Sequence, residues 1–287
     1  MKKAKQQLND SFISKLFENK KAIIGSVIIL LFIVMAIIGP ILLPYNPTTS
    51  FADRYKGMSF EHPLGTDDLG RDILRQLIQG TSSVLIIALF TGIFTVGIGT
   101  ILGMTSGYLG GPVDKVIQWI TNIVLTIPSF PVMLILASLF TITDPITFAL
   151  TLSVWSWAGL SRAIRAQVMS LKERDFIQIC QVMNMSKTHI IFKELFPNIA
   201  SYILINFIIS VKSAIIGSVG VMMLGLAAYE PTNWGAMIEH ARSLGLINPK
   251  VIAILVPPLV AIIIFQFGAI FLADGLDEVF NPRLKVN

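Results

Sequence analysis

The stretch that decides the fold is Ala22–Leu43, AIIGSVIILLFIVMAIIGPILL, a run of apolar residues without one charge. About 20 mostly apolar residues are needed to cross the hydrocarbon core of a bilayer. Working outward, the same pattern recurs. Gln76–Val113 is uncharged, with its apolar centre at Ser82–Thr105. Val116–Thr143 and the shorter Pro145–Ser161 are uncharged. Leu195–Tyr229 is interrupted only by Lys212, and Val251–Ala273 closes the series. The expectation is an all-α integral membrane protein with six transmembrane helices. Its parts are a tail over 1–21, a first span over 22–43, an outer loop with an amphipathic helix over 44–81, a five-helix core over 82–273 and a tail over 274–287. The first run is too long for a cleaved signal sequence, and Gly39-Pro40-Ile41-Leu42-Leu43-Pro44 follows it instead of a small-residue cleavage site.

Composition agrees. Of 287 residues, 54% are apolar and 14% charged, with a mean hydropathy of +0.73. A soluble domain carries roughly a quarter charged residues, and a disordered chain is poor in apolar ones. Cys180 is the single cysteine, so no intrachain disulfide can form. The net charge of +5 is explained by topology. Segments alternating onto one side hold 15 Lys and Arg, and the opposite segments hold 6. By the positive-inside bias, both termini are expected in the cytoplasm. Nucleic-acid binding is then unnecessary, and no base-stacking aromatic array accompanies the charges.

The loops carry the more specific signals. His62–Asp72 reads HPLGTDDLGRD. Pro63 and Gly65 suit a turn, and Thr66 or Asp67 can cap a following helix. Ile73, Leu74, Leu77 and Ile78 then share a face, so a solvated turn feeding an amphipathic helix accounts for this stretch. His62 and its acids match no ligand spacing for a metal. Asp175–Ser186 reads DFIQICQVMNMS, an amphipathic helix. Asn184 can take a left-handed cap, and Ser186 can begin a second helix running to Phe196-Pro197. Such a helix fits a partner groove or the headgroup surface equally.

Within the spans, Lys212 is the unusual residue. A Lys at a span centre costs about 2.5–3.5 kcal/mol on insertion scales and must face protein or water. It can attract an anionic cargo group in a translocation path, or pair with a carbonyl or a partner subunit. The span centres hold no carboxylate, which argues against a proton-coupled carrier, and no G-x-x-x-x-G-K-[ST] sequence is present. Energy for active transport must then come from another subunit. His62, His189 and His240 fall in different loops, so no catalytic constellation is expected.

Four segments together resemble one family. Asn19–Pro47 is similar to its N-terminal helix with the GP-ILLPYNP exit, and His62–Asp72 to its HPLGTDxxGRD. Met223–Met237 (MLGLAAYEPTNWGAM) is similar to its LGLG-x-x-P-x-x-x-WG segment, and Ala273–Lys285 (ADGLDEVFNPRLK) to its ending. The family is the binding-protein-dependent ABC importer permeases, specifically the C-type subunit of dipeptide, oligopeptide and nickel systems. The resemblance implies a type I importer permease fold in the bacterial plasma membrane. It implies as partners a B-type permease, two ATP-binding subunits that hold ATP and Mg, and an extracytoplasmic binding protein. This chain itself would bind no cofactor and catalyse nothing. Peptide is the implied cargo, with nickel or a metal chelate as the alternative and an ATP-independent channel as a third reading. The family's inward EAAxxxG motif is altered here: Gln178, Ile179 and Cys180 stand for Glu-Ala-Ala, and Asn184 for the glycine. The resemblance thus assigns ATPase coupling to Asp175, Phe176, Gln178, Ile179, Cys180, Met183, Asn184, Met185 and Pro197, within segment 162–198.

Overall fold

A computed structural model describes residues 15–140, 142–227, 230–245 and 248–281. Residues 1–14 and 282–287 of the two tails, with Lys2, Lys3, Lys5, Arg283 and Lys285, lie outside these residues. So do Ala228 and Tyr229 of the Met223–Met237 segment. Residues 274–280 of the expected second tail belong to the last helix. Among the chain's described residues the long regular elements are all helices, joined by loops of which the longest precedes Ile73. We number its helices α1 (Lys20–Leu42), α2 (Ile73–Leu109), α3 (Gly111–Thr126), α4 (Ser129–Leu139), α5 (Pro145–Lys172), α6 (Asp175–Val182), α7 (Lys187–Met222), α8 (Trp234–Ser243) and α9 (Pro249–Phe280).

Side-chain caps set several starts. Asn19 accepts from the Ala22 amide at 3.0 Å, Asp72 from the Arg75 amide at 2.8 Å, and Asp144 from the Ile146 and Thr147 amides at 2.9 Å each. The Thr147 hydroxyl, then the amides, holds the Asp144 carboxyl below its ordinary range, so the cap is a carboxylate. Four helices, α1, α2, α7 and α9, are each long and apolar enough to cross a membrane. The expected span Val116–Thr143 is instead two helices, α3 and α4, bent by 90° at their junction. Pro128 is the cause: a residue before proline is pushed out of the helical region, and Ile127 is extended with ψ 128°. The bent pair passes the apolar test together. The run read as Pro145–Ser161 continues to Lys172, and its Ser, Trp and Arg residues leave it less apolar than the other long helices.

α2 is about 55 Å long at 1.5 Å per residue, nearly twice the hydrocarbon thickness. Its most extensive neighbour is α5. Gly99, Gly103 and Gly107 form the seam. A Cβ there would sit 3.1 Å from Trp157 O, 2.6 Å from Ser161 O and 2.9 Å from Arg165 O. Both series advance by four residues, so α2 and α5 run parallel. Small residues at this spacing let backbones touch, which is what drives helix association where lipid offers no hydrophobic contrast.

α1 buries more against α9 than against α2. A Cβ on Gly25 would meet Leu272 N at 2.3 Å, and one on Gly275 would meet Ala22 N at 2.3 Å. Here the numbering runs in opposite directions, so the two helices are antiparallel. The Lys21 ammonium reaches Glu278 Oε1 at 2.7 Å, placing the start of α1 beside the end of α9. Phe32 of α1 packs edge-on against Trp234 and Phe265, joining α1, α8 and α9 in the largest apolar cluster. Much of the outer face of α1 and α9 is exposed apolar surface, as lipid contact requires.

Candidate functional site

Three places concentrate the polar and exposed groups: the knot at the start of α2, the α6 end, and a cavity between them.

The knot corrects the reading of His62–Asp72 as a solvated turn. Thr66, Asp67, Asp68 and Asp72 are all buried. Asp67 is fully enclosed. One of its oxygens accepts from the Leu69 and Arg71 amides at 2.9 Å each. The other accepts from the Arg71 guanidinium at 2.7 Å and the Gln76 amide at 2.9 Å. Burying a carboxylate is tolerable only when its acceptor positions are filled this way. His62 Nδ1 lies 2.8 Å from Asp72, and His240 Nε2 of α8 lies 2.6 Å from Asp68. Both histidines thus pin acids of one motif, a pairing the separate loops did not reveal. Asp67, Asp68 and His240 bring potential ligand atoms within 4.8 Å, but Asp68 and His240 bond each other, and Asp67 already accepts from Arg71 and Gln76. Gly70 needs its φ of +78°, and a Cβ there would strike Ser50 O at 2.0 Å. Within the same loop the Lys56 ammonium, then the Ser50 hydroxyl, hold the Asp53 carboxyl below its ordinary range.

At the opposite end of α2, α6 follows α5 after a two-residue turn. Ile177 and Cys180 point inward and join Met104, Tyr108, Val168, Ile190 and Leu195 in a second apolar cluster. The Lys172 ammonium bonds Tyr108 O at 3.0 Å and ties the end of α5 to that of α2. The other face is open: Phe176, Ile179, Val182 and Met183 are 37%, 57%, 88% and 65% exposed. Asp175 stands exposed in the first turn, where its charge suits the helix dipole. Gln178 is exposed and its amide donates to Glu173 O at 3.3 Å.

The helix stops as its sequence directs. Asn184 has φ +54°. The Met185 amide bonds Cys180 O at 3.1 Å and the Asn184 amide bonds Gln181 O at 3.0 Å. These two bonds are the Schellman pattern, and half-buried Met185 packs onto the same cluster as Cys180. Ser186 then caps α7, accepting from the His189 amide at 3.3 Å. α7 does not end at Phe196-Pro197 as expected. Residues Ile190–Leu195 widen into a π turn, with the Phe196 amide reaching Ile191 O, and the helix continues to Met222. Pro197 is exposed in the first turn after that widening.

Structure thus brings Asp175, Phe176, Gln178, Ile179 and Met183 to one exposed surface, while Cys180 faces the interior. Val182, its most exposed member, is apolar surface in the sequence pattern but was not among the residues assigned to coupling, although it lies three residues after Ile179 on the same helical face.

The cavity has a volume of about 460 Å³ and lies between α2, α4, α5 and α7. Its polar lining includes Thr91, Thr95, Ser129, Ser156, Asn206, Ser210 and Ser213; Phe130, Met133, Ile209 and Ile216 supply apolar wall. Thr95, Ser156 and Ser210 stand near the middles of their helices, so the cavity is at mid-height. Among the described residues, three buried hydroxyls lack any hydrogen-bond partner, those of Thr95, Thr100 and Ser161. Of these, Thr95 alone lines the cavity. Sequence reasoning passed over this stripe, although Asn206, Ser210, Ser213 and Gly217 recur at helical spacing within an apolar run. Lys212 is half-buried on a different side of α7 and does not line the cavity. Its carbonyl accepts from Gln266 of α9 at 3.0 Å, and its ammonium has no partner among the described residues.

Comparison with known proteins places this architecture. Residues 99–286 match the family described as "Binding-protein-dependent transport system inner membrane component". The chain belongs to that family. Residues 9–63 also match the "N-terminal TM domain of oligopeptide transport permease C". The permease is 30% identical over 269 residues to the oligopeptide transport system permease protein OppC of Bacillus subtilis, covering 93% of this chain and 87% of that one. It is 31% identical over 274 residues to the dipeptide transport system permease protein DppC of Alkalihalophilus pseudofirmus, covering 94% and 88%. To OppC of Mycobacterium bovis it is 30% identical over 276 residues, covering 95% and 94%. It is a multi-pass bacterial plasma-membrane protein and a transport subunit.

Proposed function

We propose that this chain is one permease subunit of an ATP-driven importer of di- and oligopeptides. The observation that carries the reading is the apolar face of α6. Phe176, Ile179, Val182 and Met183 stand exposed on a helix clamped at both ends and fused through the π turn to a membrane-spanning helix. A rigid helix offered in this way fits a groove on an ATP-binding subunit. The names of the relatives supply the peptide cargo.

Six crossings and cytoplasmic termini follow in this proposal. Parallel α2 and α5 require the bent α3–α4 pair to return once across the membrane. The Lys21–Glu278 pair puts the first and last helices at one end, which needs an even number of crossings. The basic bias of the α6 side supports the orientation. The complete machine would add a B-type permease, two ATP-binding subunits carrying ATP and Mg, and an extracytoplasmic binding protein. Closure of the ATP-binding pair would press on α6, and Phe176, Met183 and Asn184 would pass the motion to α5 and α7.

Co-purification followed by reconstitution tests this. The chain should bring down a second permease and ATP-binding subunits, and vesicles holding the complex should accumulate labelled peptide only with ATP. Uptake that proceeds equally without ATP would sink the proposal.

A further inference from the structure

Taking the peptide-importer reading as its basis, we propose that the mid-membrane cavity binds the main chain of the passing peptide and ignores its side-chain charge. Apolar side chains form most of the wall, and its polar members are hydroxyl and amide side chains without a charge among them. Thr95 is a 96% buried residue of the lining, and its enclosed hydroxyl has no partner among the described residues, which leaves a donor and an acceptor to be satisfied there. The hydroxyls of Ser129, Ser210 and Ser213 make no hydrogen bond within the described residues either, and the Asn206 amide nitrogen is satisfied by Tyr202 O at 2.9 Å, leaving its oxygen open. Hydroxyls both donate and accept, and an amide oxygen accepts. That set is complementary to the C=O and N–H groups repeated along any peptide. A Lys or Asp in the wall would instead select cargo by charge. Lys212, the one cation at this depth of α7, is held off the cavity, as such neutrality requires. The volume lies within the range of small-molecule sites, enough for a short stretch of extended chain.

The test uses the assembled complex in vesicles and three peptides alike but for an acidic, neutral or basic side chain. The wild type should carry all three at similar rates. Asn206→Asp should lower uptake of the acidic peptide at least fivefold relative to the basic one. Ser213→Cys provides a second variant. A charged, membrane-impermeant methanethiosulfonate should label it and block uptake, with excess peptide slowing the labelling. Cys180 is buried and is the only native cysteine, so the unsubstituted complex is the control. If Ser213→Cys resists the reagent and Asn206→Asp keeps the wild-type charge ratio while peptide uptake continues, the cavity is filled by a partner helix or lipid and its assignment is overturned. A complex that takes up no peptide overturns the importer reading as well.

Discussion

Asn184 holds a backbone conformation that costs most L-residues about 1–2 kcal/mol, and Asn is among the few types that adopt it readily. Two hydrogen bonds and the Met185 contact depend on that conformation. Asn184→Gly should keep the end of α6 intact. Asn184→Val should loosen it, raising amide hydrogen exchange in α6 by about 5–30-fold, the factor equivalent to 1–2 kcal/mol. Unchanged exchange in the Val variant would mean that the cap does not set this helix end. The left-handed cap was legible in the sequence because Asn has few reasons to sit between two amphipathic segments. Cys180 was not, since periodicity gives a helix two faces without saying which one meets the protein. The structure turns Ile177 and Cys180 inward because Met104, Val168 and Leu195 are there to receive them.

The π turn at Ile190–Leu195 is an element whose cause is a single residue nearby. Pro197 has no N–H for Lys193 O, and in a regular helix its ring would clash with that carbonyl. Widening the preceding turn moves the carbonyl aside, and the Phe196 amide takes the Ile191 carbonyl instead. Pro197→Ala restores the missing donor and lets the turn close to an α geometry. That change would rotate α6 relative to the membrane part of α7. The expected result is an assembled complex that still hydrolyses ATP but transports peptide severalfold less per ATP, read from parallel uptake and phosphate-release assays. Equal coupling in the variant would show that the turn is not part of the transmission. The same chemistry explains what sequence patterns missed in α3 and α4. Apolar content makes Val116–Thr143 look continuous, while Pro128 imposes a 90° break that hydropathy does not register.

For the molecule as a whole, the recurrence of long apolar runs was readable, but the arrangement of the helices was not. Helix pairing in lipid rests on where small residues oppose one another, and a lone sequence does not say which helix stands opposite. The Gly99, Gly103 and Gly107 series could pack against any neighbour, and only its fit to Trp157, Ser161 and Arg165 makes α5 the partner. The seam between α1 and α9 is of the same kind and has a consequence for biosynthesis. A ribosome makes α1 first and its principal partner last. At roughly 5–20 residues per second, the wait between them is on the order of 10–50 s. Throughout that interval Gly25 and its neighbours present an unfilled groove to the bilayer. Nascent chains halted before Pro249 should therefore be cleared by membrane proteases severalfold faster than the full chain in a pulse-chase measurement; equal half-lives would contradict this. On that expectation, closure of the seam between α1 and α9 is the event that withdraws α1 from proteolytic surveillance.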